Sequence, residues 1–423
     1  MKKQNYILGI DIGNSKICSL VADICGKEPQ ILGVGIAHSH GIQKGNIKSI
    51  DSVATALQKS LDEARQMAGV EVSRAFIALS GNSARSENIR AMINLVPNLE
   101  LGFSEAINLL PNCEISFKEI NRLMQLVDFK ARNEIIPSGF ELVHILPHSF
   151  IIDNQKPVNN PLGMVGSRLE VSARVVYAHK ADLANLRKVA QIAGLEIAGF
   201  VLGSYASAIA VLSDDEKELG ACCIDMGSGM CNFMIHHSNS MCYEDCLPSG
   251  SWNVTNDIAT ELSTAMETAE LIKKDFATLS DLSADEKQMV LERVPTRSGE
   301  TRNIEYEALH SIVFSRVLEM LQRIEQSIKK SDLQKKLGAG IVITGGLSCM
   351  RGLQEVAQKV FAKLPVRIAM PKEINKSFGI IRKVGEQKGL PYACFSTAIG
   401  LILYAFGESA HCELDANGKI KFK

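Results

Sequence analysis

The sequence predicts an α/β protein built as two lobes of one plan, and three observations carry that prediction. An apolar run broken by Asp, one residue, Gly and a small-residue turn opens the chain as LGIDIGNSK (Leu8 to Lys16) and returns as ACCIDMGSGMCNFMIHH (Ala221 to His237). Each copy is followed by a strand-like run ending in small residues, FIALSGNSARS in the first half and IVITGGLSCMRG in the second. MAGVEVSRAFIAL and IAGLEIAGFVL repeat a grammar of helix, glycine and strand, the alternation of an α/β chain. At 423 residues surface-to-volume scaling disfavours a single core, so two lobes are the default expectation.

The first segment reads as strands YILGIDIG, KICSLVADI and QILGVGIAHS, then a helix from about Asp51 to Ala68. There Val53, Leu57, Leu61, Ala64 and Ala68 recur at helical spacing, and Gly69 stands just past the end. RAFIALSG follows as a strand. From about Ala84 to Arg168 the pattern changes to a helix around SFKEINRLMQLVDFKA, a strand-like FELVHILPHSFIID and the turn-rich NNPLGMVGSR, which reads as an inserted subdomain. KADLANLRKVAQIAG is a helix with Leu183, Leu186, Val189 and Ala193 on one face, stopped by Gly194 before LEIAGFVL. Val254 to Ile312 is polar and helical, with a poorly patterned stretch around VPTRSGETRN, and reads as a second, smaller insertion. A long helix is expected from near Ile312, then the strand AGIVITGG, PVRIAM and the helix FSTAIGLILYAFG.

The expected divisions are therefore a first-lobe core (1–83 and 169–200), the insertion (84–168), a second-lobe core (201–253 and 313–389) and its small subdomain (254–312). A closing helix (390–407) returns to the first lobe and a tail (408–423) follows.

Lys and Arg number 46 against 47 Asp and Glu, a net charge of -1 that argues against a nucleic-acid partner. Asp11 interrupts the apolar start before it can serve as a signal sequence, and LEIAGFVLGSYASAIAVL carries Glu196 and reads as a strand running into a helix. A cytoplasmic protein is expected. Eleven cysteines without CxxC pairs suit reduced thiols. Cys231, His236, His237, Cys242 and Cys246 raise a zinc site as an alternative, but no pair has ligand spacing. The alternation fits instead a hairpin with a polar turn at His236 to Ser240.

The chemistry lies in the turns. A tight hairpin offering successive N–H groups makes an anion nest, and glycine lets it approach a phosphate without a Cβ collision. Gly13, Asn14, Ser15 and Lys16 fit, with a lysine to neutralise charge, and Gly227, Ser228 and Gly229 supply the second such tip. Asp11 and Asp225 end their strands where a carboxylate holds magnesium through its water shell. Thr344, Gly345 and Gly346 form a third turn, bare enough for a flat base. A lone DxG is more often only a turn; order and repetition carry the inference. Neither GxxxxGK[ST] nor a strand-coupled GxGxxG is present.

Two phosphate hairpins followed by a GG turn resemble the actin, Hsp70 and sugar-kinase superfamily, and the details resemble the bacterial cell-division FtsA family. The resembling stretches beyond the hairpins include ILGVGIAHSHGIQKGNIKSID, LVHILPHSFIID, NPLGMVGSRLEV, LSDDEKELG, VTNDIA, AELIKKDFA and FSTAIGLILYAFG, spread over nearly the whole chain. The resemblance implies an actin-like two-lobed fold, with duplicated mixed sheets flanked by helices and an inserted FtsA-type 1C subdomain. It implies ATP or ADP with Mg2+ between the lobes, held at the turns above together with Met230, Ser348, Glu270 and Lys273. Glu270 and Lys273 read alone as a solvated helix face.

It further implies polymerisation through 1C, capture of the tail of the tubulin-like protein FtsZ, downstream divisome partners, and a place at the inner face of the membrane. Arg297, Arg302 and Arg316 are candidates for pairing with an acidic FtsZ tail, the alternative being ordinary surface charge.

Two departures stand out. The family's second hairpin usually reads Asp-x-Gly-Gly-Gly-Thr-(Thr or Met)-Asp, whereas this chain has Asp225-Met226-Gly227-Ser228-Gly229-Met230-Cys231-Asn232. A hydroxyl has become a thioether and a carboxylate an amide, so nucleotide binding with slow or absent hydrolysis is expected. GESAHCELDANGKIKFK also lacks the apolar helical face of a membrane-surface anchor; Ile420 and Phe422 merely alternate with lysines. The competing reading is a small-molecule kinase on the same fold, which needs a general base beyond Asp11 and Asp225. A chaperone reading lacks a peptide-binding domain after Gly407.

Overall fold

The computed structural model describes residues 5–95, 113–407, 412–415 and 420–422. The chain opens with β1 (Tyr6–Ile12), β2 (Lys16–Asp23) and β3 (Gln30–His38), an antiparallel meander. A short ladder of β4 (Ile42–Gln43) and β5 (Asn46–Ile47) leads into α1 (Ile50–Ala68). The Ser49 side chain caps that helix by accepting from the Ser52 N–H, and Gly69 ends it at φ 65°, the left-handed conformation that only glycine adopts cheaply. Val53, Leu57, Leu61 and Ala64 are buried in the first-lobe core, as their spacing predicts. β6 (Arg74–Leu79) pairs parallel to β1.

β7 (Ala84–Asn94), β8 (Cys113–Glu114), α2 (Phe117–Lys130), β9 (Phe140–Ile152), β10 (Val165–Gly166) and β11 (Arg168–His179) form a body with its own core. Ser116 and Glu119 cap α2 reciprocally, and its Ile120, Leu123, Met124 and Val127 cover one face of the antiparallel β9-β11-β7 sheet. α3 (Lys180–Ile192) and β12 (Glu196–Leu202) then complete the first sheet, ordered β12-β6-β1-β2-β3.

α4 (Gly203–Val211), buried along its whole length, carries the chain toward the second lobe. After α5 (Asp214–Leu219), β13 (Ala221–Met226), β14 (Cys231–His237) and β15 (Ser240–Leu247) make a second antiparallel meander. There follow α6 (Ser251–Glu261), α7 (Met266–Phe276), α8 (Ala284–Gln288), β16 (Val290–Pro295), β17 (Thr301–Glu305), α9 (Tyr306–Lys330) and β18 (Gly340–Thr344). α10 (Leu353–Phe361), β19 (Val366–Ile368), α11 (Gly379–Gln387) and α12 (Ser396–Phe406) finish the lobes. The second sheet runs β15-β14-β13-β18-β19, with β18 parallel to both β13 and β19. Each sheet is thus a three-stranded meander extended by two parallel strands, so the duplication read in the sequence is present in the topology.

Three local expectations are revised. The stretch around VPTRSGETRN is a β16–β17 hairpin; a bulge between Leu291 and Val294 breaks the alternation that would have announced it. α9 begins at Tyr306 rather than near Ile312, because Tyr306 and Leu309 already belong to its buried stripe. The tail supplies β20 (Cys412–Asp415) and β21 (Ile420–Phe422), which extend the inserted sheet along β9 through Leu414 opposite Ile145 and Asp415 opposite His144. The 96–112 part of the insertion lies outside the described residues. Among the described residues no single helix is long and apolar enough to cross a membrane.

The β14–β15 hairpin takes the place expected for the Cys and His cluster, and among the described residues no group of three or more potential ligands is placed to hold a metal ion. Within it His236 is 4% exposed, stacks on Tyr205 and has no partner at Nδ1 among the described residues. Burial, with Lys217 nearby, lowers its pKa from 6.5 to about 3. Its proton therefore binds the unfolded chain better, so stability is intact above pH ~6.5 and lost as pH falls toward ~3. At pH ~5 the expected loss from this group is on the order of 2 kcal/mol. Urea unfolding of His236→Phe at neutral pH and near pH 5 should show a smaller acid loss than the parent; an equal loss contradicts the assignment.

Candidate functional site

The β1–β2 and β13–β14 hairpins close in the same way. The Gly13 N–H donates to the Lys16 carbonyl at 3.0 Å, and the Gly227 N–H to the Met230 carbonyl at 2.9 Å. The two tips meet. A Cβ on Gly229 would lie 2.3 Å from Asn14 Cγ, so the bare backbone of the second tip leaves the room that the Asn14 amide of the first tip fills. Asn14 Oδ1 in turn accepts from the Gly45 N–H at 3.0 Å, which fixes the β4–β5 turn over the junction. That turn, with Lys44 and Gly45 both at positive φ, was read only as part of a resembling stretch and not as part of the site; its signal was the KG pair between Ile42-Gln43 and Asn46-Ile47.

Lys16 is 9% exposed, with Nζ 3.2 Å from Asp11 Oδ2 and 5.4 Å above the Phe395 ring. Burial is the largest single influence and works against its charge, yet the Asp11 carboxylate, by charge and hydrogen bond, together with Cys18 and Cys394 holds the ammonium pKa above its ordinary value. Asp225 is held from two helices. Ser207 of α4 donates to its Oδ2 at 2.6 Å and Thr397 of α12 at 3.1 Å, the two hydroxyls lying 2.9 Å apart. Burial raises the Asp225 pKa, the Ser207 bond opposes this, and Asp11 raises it again. The two carboxylates therefore share one electrostatic neighbourhood. Among the described residues neither Oδ1 takes part in a hydrogen bond, so the two carboxylates offer oxygen donors of the kind that suits a hydrated divalent cation.

The third turn meets the second at the same place. Gly345 sits at φ 89°, and a Cβ there would fall 2.4 Å from Asp225 Oδ1 and 2.7 Å from the Met226 carbonyl oxygen. The Ser348 hydroxyl donates to the Gly345 carbonyl at 2.6 Å, and Gly346 lies against Cys394 Sγ.

From the second hairpin a chain of bonds leads into α6 and α7. The Ser251 and Trp252 N–H groups donate to the Gly227 and Ser228 carbonyls at 3.0 and 2.8 Å. Lys273 Nζ reaches the Ser251 carbonyl at 3.3 Å, Thr255 Oγ1 at 2.8 Å and Glu270 Oε2 at 2.6 Å, while Thr255 also donates to Glu270 at 2.6 Å. Burial lowers the Lys273 pKa and Glu270 opposes that. Glu270 and Lys273 are thus a partly buried network rather than a solvated face, and Thr255, which carries no motif of its own, is its hub.

Arg297, Arg302 and Arg316 come together around the far half of α6. Arg297 donates to the Thr264 and Ala259 carbonyls, and Arg302 to the Glu261 carbonyl at 3.4 Å. Arg316 grips Asp257 through both nitrogens and reaches Glu319. Arg297 and Arg302 are both exposed, while Arg316 is half-buried and engaged by two carboxylates.

A family model described as cell division protein FtsA matches residues 222–400, and one described as an SHS2 domain inserted in FtsA matches residues 101–177. The chain is 32% identical over 449 aligned residues to the cell division protein FtsA of Helicobacter pylori, covering 100% of this chain and 86% of that protein. It is 32% identical over 400 residues to the FtsA of Pseudomonas aeruginosa, covering 94% and 88% of the two chains. The FtsA of Escherichia coli K12 is 27% identical, with 98% and 93% covered. Among solved structures, a chain of the PilM-PilN type IV pilus biogenesis complex superposes with TM-score 0.64 at 16% identity, covering 95% of this chain and 98% of that one. MreB5 of Spiroplasma citri bound to ADP gives 0.51 at 12% identity, covering 91% and 97%. At such identities the likeness establishes the actin-like fold alone.

Proposed function

Because the chain belongs to the FtsA family of cell-division proteins and has the actin-like fold, we propose that it is an ATP-binding division adaptor whose lobe angle is set by nucleotide. The observation that carries this reading is the junction of the two hairpin tips, where Asn14 packs on Gly229 beside Lys16, Asp11 and Asp225. In it the turn amides of Asn14 to Lys16 and Ser228 to Met230 take the phosphates, while Gly13 and Gly227 close the hairpins beneath them and the Lys16 ammonium stands against the charge. Asp11 and Asp225 hold magnesium through water, and the bound ion neutralises phosphate charge. Gly345, Gly346 and Ser348 form the floor under the base, and the Glu270, Thr255 and Lys273 network faces the nucleoside.

Nucleotide clamped between two lobes favours one angle, and that angle decides whether neighbouring subunits fit. The inserted body is the polymerising element of this reading. The surface formed by Arg297 and Arg302, with Arg316 beside them, takes the acidic FtsZ tail, tying the FtsZ ring to the inner face of the membrane and to later divisome proteins. Turnover is slow, because Met230 brings no hydroxyl and Asn232 no charge to the γ-phosphate; the Asn232 amide oxygen instead lies against Gly81 of the first lobe.

Calorimetric titration with Mg-ATP and with a non-hydrolysable analogue tests the reading. Comparable micromolar binding of both, with phosphate release near background, is expected. Absence of binding at millimolar nucleotide removes the switch, and turnover of several per second removes the account of the second hairpin.

A further inference from the structure

The inserted sheet has two unlike faces. Ile89, Ala91, Val171, Ala173 and Val175 point to the α2 side and enter its core. Residues of the opposite register, Ser86 and Asn88 on β7 and Arg174 on β11, point away from it, with Arg174 directly opposite Asn88. Arg174 is 8% exposed. Its Nε donates to Ser86 Oγ at 2.9 Å and its Nη1 to Asn88 Oδ1 at 3.1 Å, both within the inserted sheet. The same Nη1 donates to the Cys242 carbonyl at 3.0 Å, and the guanidinium carbon lies 5.7 Å from the centre of the Tyr243 ring. Cys242 and Tyr243 belong to β15, the edge strand of the second lobe.

Beside them Glu244 is 9% exposed and faces Arg174 and Ser86. The contact continues inward, since the Tyr243 hydroxyl meets Ser327 of α9 at 3.1 Å and Ser327 donates to Asp245 at 2.5 Å.

A buried guanidinium is tolerated only while its N–H groups are paired, and removing part of a buried charge's partners is strongly destabilising. The partners of Arg174 are divided between two bodies. Sliding of β15 by a bond length or two strips the Cys242 carbonyl and leaves Glu244 buried opposite a displaced cation, unless the inserted sheet follows. Following restores every bond. We propose that Arg174 is a positioning residue that makes the inserted sheet move with the second lobe, so that a change of lobe angle reaches that sheet directly. This rests on the nucleotide-driven change of lobe angle proposed above, but the coupling itself is separable from it.

The test is hydrogen exchange on the full chain, comparing the parent with Arg174→Met and Arg174→Lys. Methionine keeps bulk beside Tyr243, and lysine keeps the charge while losing the planar fork that reaches Ser86, Asn88 and the Cys242 carbonyl together; the second covers failure of the first to fold. In one arm Mg-ATP is added, with binding measured calorimetrically in the same samples. The parent is expected to change protection in β7 and β11 on binding, and each variant to lose at least about fivefold of that change while its ATP affinity stays within about twofold. A second arm uses no nucleotide. Leu321→Ala, in the core of the second lobe, is expected to lower protection in β7 and β11 of the parent by about tenfold, and far less when combined with either Arg174 variant. An undiminished response of the inserted sheet in the variants, in either arm, overturns the coupling. If the parent binds no ATP, the switch reading fails and the second arm alone decides the role of Arg174.

Discussion

Gly400→Val is expected to lower unfolding stability by about 4 kcal/mol, and Gly400→Ala by about 2 kcal/mol. Gly400 lies inside α12, where glycine costs roughly 1 kcal/mol relative to alanine on helix propensity alone. The reason it stands there is contact. A Cβ would lie 1.8 Å from the Ala206 carbonyl oxygen and 2.3 Å from its carbon, both backbone atoms of α4 that no rotamer change can move. The helices must separate, and they are the elements that place Ser207 and Thr397 around Asp225. Chemical denaturation reads the stability loss, and weakened Mg-ATP binding in the folded fraction is expected to accompany it. A midpoint within about 1 kcal/mol of the parent for Gly400→Val contradicts the rigid crossing.

Lys16→Met is expected to weaken Mg-ATP binding by at least about 100-fold, close to 3 kcal/mol. The ammonium is buried beside the first tip and its only side-chain hydrogen bond is to Asp11 among the described residues. Removing it withdraws a positive charge from the proposed phosphate position and leaves the Asp11 carboxylate without its partner, two effects of the same sign for an anionic ligand. Lys16→Arg is expected to retain part of the affinity. Calorimetry gives the ratio, with circular dichroism verifying the fold. Binding within about threefold of the parent in Lys16→Met excludes this lysine from the phosphate site.

Elements governed by local rules were legible in the sequence. α1 was expected from about Asp51 and begins at Ile50, because its apolar spacing and the Gly69 stop are local signals. The paired hairpins were legible because a DxG turn repeated in the same topological context is more than a turn. What stayed hidden depends on partners far apart in the chain. Ser207 and Thr397 are separated by 190 positions and meet at one oxygen, and Arg174 lies 68 positions from the carbonyl it holds. No periodicity encodes such pairs. The β16–β17 hairpin was hidden for a different reason: its bulge puts Arg293 at φ 54° and breaks the alternation on which a strand is recognised.

The crossing of α4 and α12 has a mechanical consequence. Two helices touching backbone to backbone make a natural axle, and the Ser207–Thr397–Asp225 cluster sits beside it. A turn of about 15°, the scale of known rigid-body switches, shifts an atom ~4 Å from such an axle by ~1 Å and one ~30 Å away by ~8 Å. In the switch proposed above, a difference no larger than one missing phosphate oxygen at the hub would then be enough to swing the rims out of register with a neighbouring copy.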